Sequence, residues 1–365
     1  MTKTSLAVLL FALFLSGCST VGYYSRAVGG HIEVMQASRP IDDLIEDPTC
    51  DHDLKKKLTE VRRIRDFASS DLALPDNTSY RSYADIKRQF VTWNVFAAPE
   101  FSLQTVDWCM LVVGCVSYRG FHDQSEAEQL ASELRQQGFD TYVGGIPAYS
   151  TLGYFSDPVL NTFLKFGNLE VARLIFHELA HQVLFVEGDT VFNESFATAV
   201  ENEGLRRWLA HIARPDLENA ITAHQKRMTA FVQLVTGYRG KLQEIYGSDL
   251  PEDAKRQAKS DVMAELKLSY LSAQETQGTP PIHREWLEND LNNAKMASLG
   301  LYNQLLPAFE ALLEAEDHDL PRFYDRVAKL GSLPQPERRA ALEQLQSARS
   351  LLAGPLAKPQ LLSNR

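Results

Sequence analysis

One apolar helix restricts this chain more than any other feature. Residues 171–187 read VARLIFHELAHQVLFVE, with Leu174, Ile175, Phe176, Leu179, Ala180, Val183 and Leu184 around the stretch His177-Glu178-Leu179-Ala180-His181. A helix this apolar has to pack inside a core, and two imidazoles set into it need partners there. Positions four apart share a helix face about 5–6 Å apart, so His177 and His181 converge on one point. HExxH is the spacing of two ligands to one divalent ion, zinc being the usual one. Glu178 leaves the helix about a third of a turn away, placed to serve as general base toward a water at that ion.

An open zinc site needs a third protein ligand. Gly188 ends the motif helix, and Asn193-Glu194-Ser195-Phe196-Ala197-Thr198 opens another. Twelve residues separate His181 from Glu194, enough to turn the chain back antiparallel, with small Ala197 permitting close approach. This arrangement resembles the glutamate-type zincins, whose third ligand is a Glu on the following helix; the spacing here is shorter. Glu187 is the rival, at the place where metzincins carry their third ligand. That geometry needs a Gly three residues after the second His, and the residue here is Leu184. Glu194 is therefore preferred. Glu201 and Glu203 follow; one is a candidate to orient a metal-bound imidazole, although surface exposure is expected for both.

The start of the chain points to a compartment. Lys3 precedes the apolar run Leu6 to Leu15, too short for a comfortable bilayer span, and Leu15-Ser16-Gly17-Cys18 resembles a bacterial lipobox. Residues 1–17 then form a lipoprotein signal peptide, and Cys18 carries the lipid that ties the protein to a membrane. Ser19, rather than an acidic residue, suggests the outer membrane of a Gram-negative bacterium, facing the periplasm. In that oxidising compartment Cys109 and Cys115, six positions apart, are expected to form a disulfide, leaving Cys50 over. A formal charge of −10 with no long basic block argues against nucleic-acid binding.

Along the rest of the chain the expected class is α+β, a small early mixed sheet followed by a helical body. Residues 18–75 read as a helical lead, including a helix over Tyr23 to Glu46 interrupted at Pro40. Residues 76–204 read as an α+β part holding the metal helices, with strands at Val91–Ala97, Met110–Tyr118 and Phe139–Val143. Residues 205–365 read as helical.

Several blocks together resemble the bacterial aminopeptidase family of HExxH lipoproteins: Tyr80-Arg81-Ser82-Tyr83, Gly114 to Gly120 (GCVSYRG), Ala148 to Phe155 (AYSTLGYF), the HELAH stretch, Phe192 to Ala197 (FNESFA) and Asn292-Asn293-Ala294. The resemblance spans most of the chain beyond residue 18. It implies a helix-rich, zincin-like fold and hydrolysis of peptide substrates. His177, His181 and Glu194 would then hold one zinc ion, with Glu178 as base. The GxMEN exopeptidase signature is absent from the sequence. In zincins of this type an edge strand upstream of the metal helix pairs with substrate, which would be Val143 to Ser150 here. An oxyanion partner is also needed, and Tyr149, Tyr154, Tyr302 and His283 are candidates. The competing reading is a non-catalytic envelope lipoprotein, a chaperone or assembly factor, with a structural zinc site.

Overall fold

The computed structural model describes residues 22–110, 114–148, 150–277, 283–303 and 305–352. Cys18 and the signal segment lie outside them. Helix α1 covers residues 22–36. The helical stretch expected over Tyr23 to Glu46, interrupted at Pro40, does break there, because Pro40 lacks the N–H that a helix interior requires. The chain instead makes strand β1 (Ser38–Pro40) before α2 (Ile41–Glu46). Helix α3 (His52–Ser70) starts where the Asp51 side chain accepts from the backbone N–H groups of Asp53 and Leu54. It buries Leu58, Val61, Ile64 and Phe67 on one stripe.

Among the described residues the strands follow the pattern expected of the middle region only in part. After β1 come β2 (Ser82–Ala84), β3 (Thr92–Pro99), β4 (Trp108–Met110), β5 (Gly114–Val116), β6 (Arg119–Phe121), β7 (Phe139–Ile146) and β8 (Val159–Leu160). One sheet has the order β1-β2-β8, the second β6-β3-β7, and β4 with β5 makes a separate hairpin closed by a Cys109–Cys115 disulfide. Cys50 is free. Helix α4 (Gln124–Gln136) crosses over to β7, and Gly138, at φ +88°, supplies the left-handed residue just beyond its end. β3 and β7 are antiparallel from Thr92 opposite Ile146 to Pro99 opposite Phe139, which leaves β7 at the sheet edge.

The helical body begins with α5 (Asn161–Leu164), the motif helix α6 (Asn168–Val183) and α7 (Thr190–His211). It continues through α8 (Pro215–Gly247), α9 (Glu252–Gln277), α10 (Arg284–Glu288), α11 (Asn293–Asn303), α12 (Leu306–Ala315), α13 (Leu320–Gly331) and α14 (Gln335–Leu352). These elements divide between two apolar cores. The larger gathers α3, α6, α7, α12 and α13 around Phe176, Phe196, Trp208, Phe309 and Phe323. The smaller joins α8 and α9 to α10 and α11 through Phe231, Leu242, Leu266, Leu287 and Met296. No described helix is long and apolar enough to cross a membrane.

Close packing of α6 on α7 positions the site. Ala197 is fully buried in that interface, and Gly204 goes further: a methyl group there would come within 2.8 Å of both Phe176 and Leu72. Asp189 caps α7 by accepting from the Phe192 N–H, and Arg338 of α14 holds the same carboxylate at 2.7 Å. The turn between the two helices is fixed by the Asn193 carboxamide, which bonds both the N–H and the carbonyl of Val186 at 2.8 Å.

Candidate metal centre

His177 and His181 occupy successive turns of α6, their rings 4.9 Å apart and close to perpendicular. Glu194, in the first turns of α7, lies opposite both: its Oε2 is 3.2 Å from His177 Nε2 and 3.8 Å from His181 Nε2. One donor atom from each residue lies within 4.8 Å of the others, so the cluster could hold a metal ion. Bonds of about 2.0–2.2 Å to a tetrahedral ion set its donors about 3.3 Å apart, which these separations approach. Two imidazole nitrogens and one carboxylate suit zinc, and the donor set leaves a coordination position over.

Glu187 takes no part. Helix α6 stops at Val183, Leu184 is already extended, and Glu187 is exposed beside Gly114 of the β4–β5 hairpin. Glu201 and Glu203 depart from the surface exposure expected of them; both are buried. Helix α7 is enclosed by α3, α6, α11 and α12, and each acid is matched by cations. Glu203 holds Arg206 and Arg207 of its own helix. Glu201 accepts from His177 Nδ1 at 3.0 Å and from Arg173 Nε at 2.6 Å. That bond puts the Nδ1 proton of His177 on the carboxylate side and turns Nε2 toward Glu194. His181 Nδ1, by contrast, is buried without a hydrogen-bond partner among the described residues.

Electrostatics match this division. Burial pulls His177 down, but its hydrogen bonds with Glu194 and Glu201 outweigh burial and raise it well above the ordinary histidine range. His181 makes no such hydrogen bond, and burial lowers it to about 4, with Glu194 opposing and His177 adding to the fall. Burial pushes Glu194 up, yet His181 and His177 bring it below the usual carboxylate value. Glu178 is pushed up to about 7 by burial, with His177 opposing and Glu194 adding to the rise. Its carboxyl makes no hydrogen bond among the described residues and lines the same cleft as His177, His181 and Glu194.

A family model described as "Putative aminopeptidase" matches residues 22–342. The chain belongs to that family. No curated protein matches it, and no solved structure does.

In this aminopeptidase-family chain the cluster opens onto a cleft of about 650 Å³. One wall is helical, with Arg173, His177, Glu178, His181 and Glu194. The facing wall is the β6-β3-β7 sheet with its approach segments, including Thr92, Asn94, Tyr118, Gly120 and Ile146. Of the expected substrate strand, Val143 to Ile146 is on edge strand β7, and Ile146, Pro147, Ala148 and Ser150 line the cleft.

Of the oxyanion candidates named from sequence, the described residues place none in the cleft. Tyr154 is 73% exposed. The turn before it, with Leu152 at φ +57° and Gly153 at φ +83°, is pinned by Thr151 bonding to Asp157 and directs Tyr154 outward. His283 stacks on Phe231 at 4.0 Å in the smaller core. Tyr149 and the side chain of Tyr302 lie outside the described residues.

Tyr118 was not anticipated. It precedes β6, packs its ring on Phe96 at 5.6 Å and lines the cleft with Glu178 and Glu194. Burial raises its phenol, and the charges of Glu194 and Glu178 raise it further, so the proton stays on the oxygen. That hydroxyl has no hydrogen-bond partner among the described residues. Its one sequence signal was its place inside the GCVSYRG block.

Proposed function

We propose that this chain is a zinc-dependent peptidase, an aminopeptidase by family, acting on peptides in the periplasm. The observation that carries the reading is the position of Glu178. Its carboxyl has no hydrogen-bond partner among the described residues and is raised to about 7, and it shares a cleft with three candidate donors that would leave one coordination position open.

A bound zinc ion would polarise the scissile carbonyl and lower the pKa of a water toward 7. Glu178 takes the proton of the attacking water and passes it to the leaving amine. Tyr118, on the facing wall, donates a hydrogen bond from its hydroxyl to the oxyanion that develops on the carbonyl oxygen. Glu201 and Arg173 keep His177 oriented through the cycle. Lipid on Cys18 would hold the cleft at a membrane surface; Cys18→Ala should release the protein to the soluble fraction.

The test is Glu178→Gln, which should keep one zinc per chain and lose peptide hydrolysis. Hydrolysis at the wild-type rate would overturn the assignment. Full rescue of a deletion phenotype by Glu178→Gln would favour the scaffold reading.

A further inference from the structure

Asn94 stands in the middle of β3, the central strand of the cleft's sheet wall. It is 7% exposed, and what it exposes faces the cleft. Its carboxamide makes no hydrogen bond among the described residues. Largely buried polar side chains are nearly always paired within the protein; this one instead keeps its hydrogen-bonding atoms toward the cleft. In register, Asn94 lies opposite Gly120 on β6 and Gly144 on β7; no side chain of β6 stands beside it, and on β7 the Tyr142 ring lies over Gly144. A methyl group at Gly120 would stand 3.1 Å from Asn94 Oδ1.

From this placement we infer that Asn94 is a substrate-binding residue whose carboxamide pairs with one peptide group of the bound chain. The amide N–H₂ donates to the substrate carbonyl and Oδ1 accepts from the substrate N–H, a match that carboxamide and peptide share by chemistry. Gly120, which lines the cleft, leaves room for a backbone to come down onto the carboxamide. The pairing recognises main chain rather than side chain, and it fixes how a peptide lies across from Glu178.

This inference rests on the proposed peptidase function, and the experiment separates the two. A panel of quenched-fluorescent peptides is first screened with the wild-type protein, and the best-cleaved member becomes the substrate. Asn94→Ala should raise KM about tenfold with kcat within about twofold, the mark of lost uniform binding. Zinc content and Tm should be unchanged, since the carboxamide faces the cleft and holds no other part of the chain. Gly120→Ala, which keeps Asn94 but crowds its oxygen, should raise KM in the same direction. An unchanged KM in Asn94→Ala, or a lowered Tm as its only effect, would overturn the role of Asn94 and leave the peptidase standing. A zinc-loaded wild type that cleaves no member of the panel would overturn the peptidase function and this inference together.

Discussion

On the helical wall of the cleft, buried charges hold one another. His177 lies between Glu194 and Glu201, Glu201 takes Arg173, and Glu203 takes Arg206 and Arg207. On the sheet wall opposite, the Asn94 carboxamide and the Tyr118 hydroxyl face the same space with no partner among the described residues. The first arrangement fixes geometry before anything binds; the second leaves hydrogen-bonding capacity for something that arrives. Glu178 belongs in position to the helical wall and in behaviour to the sheet wall, buried yet unpaired. On the proposed function the difference divides the work: one wall would hold the ion and the other would meet the substrate.

The contrast can be broken at graded cost. The largest effect is expected from the helical wall itself: His177→Ala should lose zinc and activity together, while Glu178→Gln should lose activity by about 10³-fold or more and keep zinc. Metal analysis beside a peptide assay separates the two. Next comes the sheet wall, where Tyr118→Phe should lower kcat by about 10²–10³-fold with zinc content intact. Zinc loss in that variant would mean that the walls are not independent. Glu201→Gln removes the charge that orients His177 and should weaken zinc binding by about 10–100-fold, measured by competition with a chelator.

The smallest effect concerns stability rather than activity. Burial raises Asp157, in the buried turn below Thr151, to about 6, with the Thr151 hydrogen bonds pulling the other way. A raised carboxyl pKa gives stability that is complete below the ordinary value near 3.8 and is lost as pH climbs through 6. At pH 7 the ionised form therefore costs on the order of 2–3 kcal/mol. Asp157→Asn should gain Tm relative to wild type at pH 7 compared with pH 4, read by thermal melts at both. An equal difference at the two pH values would remove Asp157 as the source.

Sequence legibility follows the same division. The helical wall announced itself because HExxH lies on a long apolar helix and Glu194 opens the next one; periodicity needs that length to register. The third-ligand choice between Glu194 and Glu187 turned on Leu184, and the structure ends α6 beside that residue. Glu201 was readable in part. It is seven residues after Glu194 and hence on the same face of α7, but burial of that face depends on how α3, α11 and α12 enclose it. The sheet wall gave little away. Strands of two or three residues such as β2, β6 and β8 are too short for alternation to show. Which glycines flank Asn94 is a matter of register between segments that are far apart in the chain. Tyr118 likewise reaches the site through a pairing of β6 with β3 that no local pattern encodes.

The central claim is that His177, His181 and Glu194 grip one zinc ion and leave it open. Zinc K-edge absorption spectroscopy on the purified chain, alongside metal quantitation, tests it most directly. The expected result is one zinc per chain, bound by two imidazole nitrogens and two light oxygen donors, with Glu194→Ala losing one of the oxygens and most of the affinity. A chain without stoichiometric zinc, or a spectrum and affinity that Glu194→Ala leaves unaltered, would contradict the account.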